Sequence, residues 1–268
     1  MKKSIVSGIE LVGSATLSFF QYIGGLAILF WEVIKWLGRG AILRVKLIIE
    51  QAAILGVNST SIVLITTAFT GAVISLQLAS QAAKFGAARF VGLGVAISMA
   101  RELGPMITAV TVAGRAGSAI TAELGSMKVT EQIDALEAMA VSPIKYLVVP
   151  RVVAGSFMLP ILCLFAMLAG TLGGAYVAKM TANIPYKVFF DSIKDLMESQ
   201  DIYKGMLKSL IFGIEISLIS CYQGINTRGG AAGVGTATTG SVVFSILIVF
   251  ITNFFLSAVL FPMGGKAF

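Results

Sequence analysis

Residues 101–146 read RELGPMITAVTVAGRAGSAITAELGSMKVTEQIDALEAMAVSPIKY. The stretch begins inside one hydrophobic run and ends at the start of the next. Between the two runs lies a short acidic segment, TEQIDALEAMAVSP, at 130–143. Thr130 carries the hydroxyl expected of an N-cap. Glu131 and Asp134 stand in or beside the first turn, where a helix N-terminus favours negative charge. Pro143 is expected to close the helix, because proline ends or kinks a helix at the residue before it. At about 100° per residue, Val129, Ile133, Leu136 and Ala140 share one face, and Glu131, Asp134 and Glu137 share another. A charged helix between two membrane spans is excluded from hydrocarbon, so it lies at the surface with its apolar face covered. Two readings stay open for it: a connector packed on its own protein, or a docking element for a soluble partner.

Composition sets the class around this stretch. Of 268 residues, 57% are hydrophobic and 12% charged, and the mean hydropathy is +0.92. Soluble domains carry about 25% charged residues. The chain is therefore expected to be an all-α integral membrane protein of one domain, 1–268. The net charge of +7 fits membrane topology and anionic lipid better than nucleic acid in so apolar a chain. Histidine is absent, which removes the commonest general base and metal ligand. Cys163 and Cys221 lie in apolar runs without a CxxC or a ligand cluster, so they are expected to be buried small hydrophobes. No cleavable signal peptide is expected after Met1-Lys2-Lys3.

Residues 1–46 hold Lys2, Lys3, Lys35, Arg39, Arg44 and Lys46. The apolar stretch from Leu11 to Trp31 is broken by Gln21, Gly24 and Gly25. Beyond it, WEVIKWLGRG sets Glu32, Lys35 and Arg39 against Trp31, Ile34 and Leu37. Tryptophan with basic residues on an amphipathic helix points to a segment lying in the membrane interface. Five spans follow, at 52–79, 91–122, 147–178, 205–224 and 241–262. The polar stretch 181–204 is expected to form a short amphipathic helix on the far side. Gly170-x-x-x-Gly174 in the third span permits close helix contact. The glycine-rich NTRGGAAGVGTATTG, 226–240, is read as a loop joining the last two spans.

Lysine and arginine set the orientation. With the N-terminus and the acidic helix inside, the inner segments hold the six N-terminal cations with Arg115, Lys128, Lys145, Arg151 and Arg228. The outer segments hold Lys84, Arg89, Lys179, Lys187, Lys194, Lys204, Lys208 and Lys266.

Catalytic signals are few. Gly230 and Gly235 have half the spacing of a phosphate-binding loop, but Thr236 stands where its lysine belongs and no strand precedes it, so a nucleotide site is rejected. Arg101, Glu102, Lys208 and Glu215 lie within spans, where ions are costly and are paired or face a cavity. Arg101 and Glu102 are adjacent and point to different faces, so each needs a partner elsewhere. Lys208 is the candidate for Glu102. The charges fit a buried pair that fixes helix register, a transport path, or the relay of an ion-coupled secondary transporter. A non-transporting scaffold is the remaining alternative.

The run from Arg101 through Arg151, RELGPMITAVTVAGRAGSAITAELGSMKVTEQIDALEAMAVSPIKYLVVPR, resembles the signature region of the MlaE family, the permease subunits of ABC-type lipid transporters that work with MCE proteins. NTRGGAAGVGTATTGSVVFS, 226–245, is similar to that family's last cytoplasmic loop and span, with Gly240 a departure where many relatives carry a larger or basic residue. The resemblance covers most of the chain and is weakest over residues 1–50. It implies a homodimeric permease of the bacterial inner membrane, with an N-terminal interfacial helix, five spans, the N-terminus cytoplasmic and the C-terminus periplasmic. It implies that Thr130–Val141 is a coupling helix, with Thr130, Glu131, Gln132, Ile133, Asp134, Ala135, Leu136, Glu137 and Met139 on a cytoplasmic ATPase. That ATPase would hold ATP and Mg, and this chain no cofactor. The other implied partners are a periplasmic MCE-domain protein, a small cytoplasmic STAS-domain protein and phospholipid. Thr66, Thr70, Val73, Leu76 and Gln77 would line a lipid cavity between spans one and five of the dimer, and Arg101, Glu102, Lys208 and Glu215 would lie on the lipid path.

Overall fold

The computed structural model describes residues 2–39 and 45–261. Arg44, Pro262 and Lys266, which entered the span and charge assignments, lie outside them. Among the described residues there is no strand. The helices are α1 (Lys2–Gly38), α2 (Val45–Lys84), α3 (Ala88–Val129), α4 (Gln132–Ala138), α5 (Ile144–Ala182), α6 (Tyr186–Leu196), α7 (Ser199–Ile225) and α8 (Gly230–Leu260). Six described helices are long and apolar enough to cross a membrane: part of α1 (Phe20–Gly38), α2 (as Val45–Ala82), α3, α5, α7 and α8. A bilayer core about 30 Å thick needs about 20 helical residues, so several of them outrun it.

Gln21, Gly24 and Gly25 do not break α1, which is one continuous helix. Near them α1 is held by aromatic contact with the bundle: Tyr22 stacks on Phe244 at 4.7 Å and meets Tyr222 edge-on at 5.2 Å. A Cβ on Gly25 would overlap the Tyr222 ring, so the small residue lets the two helices approach. The glycine-rich segment is likewise mostly helix. Only Asn226–Gly229 turns; α8 starts at Gly230. Thr236, Thr238 and Thr239 donate their hydroxyls to carbonyls three or four residues back, as threonines do inside membrane helices.

α2 crosses α5 with backbones nearly touching. A Cβ on Gly71 would strike the carbonyl of Gly170, and one on Gly173 that of Ala68. Close approach through small residues is the usual glue between membrane helices, where lipid removes any hydrophobic drive between them. α5 meets α7 the same way, at Gly155 and Gly213. The core between them holds Leu159, Leu162, Phe212 and Ile216. Cys163 and Cys221 are buried and free. α8 packs on α3 and α7, but only 11% of its most apolar window is buried. The segment 181–204 resolves into the end of α5, the short helix α6 against the first part of α3, and the first turn of α7.

α3 is not a regular helix. It carries π turns at Met99–Leu103 and Ala113–Gly117, features that concentrate at functional sites. Three cations counted with the inner or outer segments stand within helices. Arg151 is buried in α5, with Nη2 2.9 Å from Glu123 and Nη1 donating to the Leu147 carbonyl. Lys208 is buried in α7 and Arg115 is in α3. Removing them from the charge count leaves the inside–outside bias resting on the N-terminal segment.

Candidate functional site

The first π turn builds a polar node toward the α6 end of the bundle. Pro105 has no N–H, so it cannot bond the carbonyl four residues back, that of Arg101. The Gly104 N–H reaches back to Met99, and Lys208 takes up the carbonyl that Pro105 leaves. Lys208 Nζ donates to Arg101 O at 2.9 Å, Glu102 Oε1 at 2.9 Å, Asn253 Oδ1 at 3.2 Å and Ser257 Oγ at 2.7 Å. Asn253 Nδ2 donates to Glu102 Oε2 at 3.0 Å and Ser257 Oγ to Glu102 Oε1 at 2.8 Å. The Lys208 side chain is 0% exposed and that of Glu102 39%. The cation is sealed between α3, α7 and α8, while the carboxylate keeps one side open.

Arg101 is not part of the same pair. Its Nε lies 2.9 Å from Asp201 Oδ1 in the first turn of α7. Its guanidinium stands 5.0 Å from the Phe261 ring, which also has Lys204 at 5.4 Å and Lys208 at 5.3 Å. Ser257 is three residues from the end of α8. Glu102 itself stands well inside α3, which starts at Ala88, and Lys208 inside α7, which starts at Ser199. Glu215 belongs to another place. Its Oε1 accepts from Thr252 at 2.8 Å, and Oε2 is buried without a hydrogen-bond partner among the described residues. It borders an apolar cleft of about 280 Å³ with Ile23, Leu26 and Phe30 of α1.

The lipid-cavity candidates share the outer face of α2. Val73 and Leu76 are more than half exposed, and Gln77 is exposed. Thr66 and Thr70 donate back to carbonyls of their own helix, Thr66 to Ile62 and Thr70 to Thr66. Their hydroxyl protons are thus occupied, and their lone pairs remain as acceptors.

At the opposite end α4 stands between α3 and α5, packed on the last part of α3. Thr130 does not cap it. The Thr130 hydroxyl donates to Ser126 O at 2.8 Å and closes α3, while Glu131 is the N-cap with φ of 60°. Pro143 does not end it either. Ala140 N–H bonds Glu137 O and Val141 N–H bonds Leu136 O, both at 2.9 Å, with Ala140 at φ 59°. This is the Schellman arrangement, which satisfies the last carbonyls of a helix through a left-handed residue. Pro143 instead precedes the first turn of α5. Ile133 is buried and Leu136 half-buried, whereas Glu131, Gln132, Asp134, Ala135, Glu137 and Met139 are exposed. Ala140, expected on the covered face, is exposed because the helix has ended before it. Lys128 Nζ holds Asp134 at 2.6 Å. A cleft of about 300 Å³ opens beside Ile133 and Glu137, bounded by Pro143 and Ile225.

Sequence reasoning missed Asp201, Asn253 and Ser257. Asn253 and Ser257 are four apart in an otherwise apolar run, which puts both on one helix face, and that spacing was a visible signal. Asp201 gave none, since it lies in the polar stretch 181–204, read as an amphipathic helix outside the spans.

The family model described as Permease MlaE matches residues 48–259. A probable ABC transporter permease protein of Synechocystis is 41% identical over 247 residues, covering 92% of this chain and 94% of that one. One from Rickettsia typhi is 39% identical, covering 95% and 98%. The chloroplast protein TRIGALACTOSYLDIACYLGLYCEROL 1 of Arabidopsis thaliana is 39% identical over 219 residues, 82% of this chain and 63% of that one.

Proposed function

The chain belongs to the MlaE family of ABC-transporter permeases, and on that premise we propose that it moves phospholipid or a related lipid between the bacterial inner membrane and a periplasmic MCE assembly. A separate cytoplasmic ATPase drives it, and α4 is the coupling helix. The observation that carries this reading is the mounting of α4. One buried isoleucine and the Lys128–Asp134 pair fix it to the bundle, and its carboxylates Glu131 and Glu137 are exposed, Glu137 at the edge of the cleft. A helix that served only as a connector has no need of exposed carboxylates beside an open cleft. Force on α4 passes directly into α3 and α5, the two helices it links.

In this reading the α4 end is cytoplasmic and the α6 end periplasmic. α1 lies in the interface with its Trp31 exposed and its Trp36 under Lys145, 5.0 Å away. Two copies pair through the bare faces of α2 and α8, with Thr66, Thr70, Val73, Leu76 and Gln77 lining the lipid cavity. Glu102 and Lys208 couple α3, α7 and α8 at the periplasmic side, and Arg101 and Glu215 flank the lipid path. A STAS-domain protein joins the ATPase in the cytoplasm. The test is reconstitution in vesicles with the co-purifying ATPase. ATP-dependent movement of a fluorescent phospholipid to or from an MCE-domain protein is expected. No lipid movement under ATP hydrolysis would overturn the reading.

A further inference from the structure

Arg115 is exposed well inside a membrane-crossing helix, and its side chain has no ion-pair or hydrogen-bond partner among the described residues. It sits in the second π turn of α3. Gly117, two residues on, packs on Ile216 and Ser220 of α7. Those lie five to nine residues from the Ile225 end, roughly 8–14 Å along the axis at 1.5 Å per residue. Arg115 is thus set in from the helix ends, in the half of the bundle nearer α4. An unpaired guanidinium there is costly unless it faces a cavity or a counter-charge.

The place it faces is open. A groove of about 590 Å³ runs between α2 and α3, bordered by Ile62, Thr66, Val110, Thr111, Gly114 and Ser118. A Cβ added to Gly114 would meet nothing within 4 Å, so the backbone leaves room beside the arginine. Thr66 and Ser118 spend their hydroxyl protons on their own helices, and Arg115 is the cation of the groove. A planar guanidinium fits the paired oxygens of a phosphate, and the flanking isoleucine and valine suit acyl chains.

We infer that Arg115 binds the phosphodiester of a phospholipid in the α2–α3 groove, so that this chain selects phosphate-bearing over neutral lipids from the leaflet at its α4 end. The inference rests on the lipid-permease reading and gives it a headgroup class. It separates this site from the Glu102–Lys208 node, where both charges already have partners.

The experiment is native mass spectrometry of the purified transporter complex, offered phosphatidylglycerol and diacylglycerol with identical acyl chains. Phosphatidylglycerol should be retained roughly 10-fold better, as befits one charge-assisted contact. Arg115→Gln should abolish that preference while diacylglycerol retention stays unchanged, and Arg115→Lys should restore part of it. Addition of glycerol phosphate should not displace the lipid. Displacement by millimolar glycerol phosphate would mean a soluble-anion site and overturn the inference. So would equal retention of both lipids, or a full preference in Arg115→Gln; either leaves the lipid-permease reading standing. Conversion of Arg115→Gln to monomers would assign the guanidinium to a second copy and also overturn it. Retention of neither lipid would overturn both readings.

Discussion

At residue scale the node depends on the order Arg101-Glu102-x-x-Pro105. The proline frees a carbonyl, the π turn displaces the ladder, and Lys208 fills the gap with an ammonium that has four acceptors around it. Removing one side leaves unequal damage. Glu102→Ala strands a fully buried cation on neutral acceptors, whereas Lys208→Ala strands a carboxylate that still reaches solvent and Asn253. One-sided loss of a buried pair costs about 3–5 kcal/mol and of an exposed pair about 0–1 kcal/mol. We expect Glu102→Ala to cost about 2–4 kcal/mol in thermal unfolding of the detergent-solubilised protein. Lys208→Ala should cost less, and the double variant at least about 1 kcal/mol less than the two singles summed. Strictly additive losses would show that the two side chains do not stabilise one another.

At the scale of elements, α4 is seven residues long, too short to be stable alone in water. It exists because Ile133 is buried and both its ends are tied down. Ile133→Ala should therefore cost about 2–4 kcal/mol and reduce ATPase co-purification. Reversing Glu131, Asp134 and Glu137 to lysine should leave the membrane bundle folded but weaken the ATPase interface, since rim charges steer and register a docking surface. Undiminished co-purification of the ATPase with the triple variant would remove the coupling role from this helix. Topology is read from two further sites in a background lacking Cys163 and Cys221. Ser126 is exposed beside α4, but Ser192 of α6 is buried, donating to the Phe189 carbonyl. Asp195 is exposed on the same helix. Ser126→Cys and Asp195→Cys should label from opposite sides of the membrane; one-sided labelling of both would overturn the proposed orientation.

Across the whole molecule, the helices divide into a packed set and a bare pair of faces. α7 is the centre, with 61% of its most apolar window buried. α8 turns Leu247, Phe250, Phe254 and Val259 outward, and α2 turns out Ile65, Phe69 and Val73. Lipid tolerates such faces, so their exposure alone does not demand a partner. The dimer proposed above makes a sharper statement. Leu247→Arg with Phe254→Arg should shift the detergent-solubilised protein from dimer to monomer in light scattering without unfolding it, and a persistent dimer would place the interface elsewhere.

The all-helical membrane class was settled by composition, because 57% hydrophobic residues with 12% charged cannot be arranged as a soluble domain. The acidic interruption between hydrophobic runs was also visible in local hydropathy, as was the need of Glu102 for a distant partner. Helix ends were not. The glycine-rich segment became helix although none of residues 230–240 is buried, because a chain in lipid must bond its own backbone and glycine's helix penalty is small beside that, and α4 ended before Ala140 by backbone geometry that no side chain announces. The node needed tertiary structure most. Asp201 and Asn253 lie 100 and 151 residues from the side chains they bond, and only the crossing of α3, α7 and α8 brings them there. Local sequence carries the cost of leaving a charge in lipid; the three-dimensional packing decides which groups answer it.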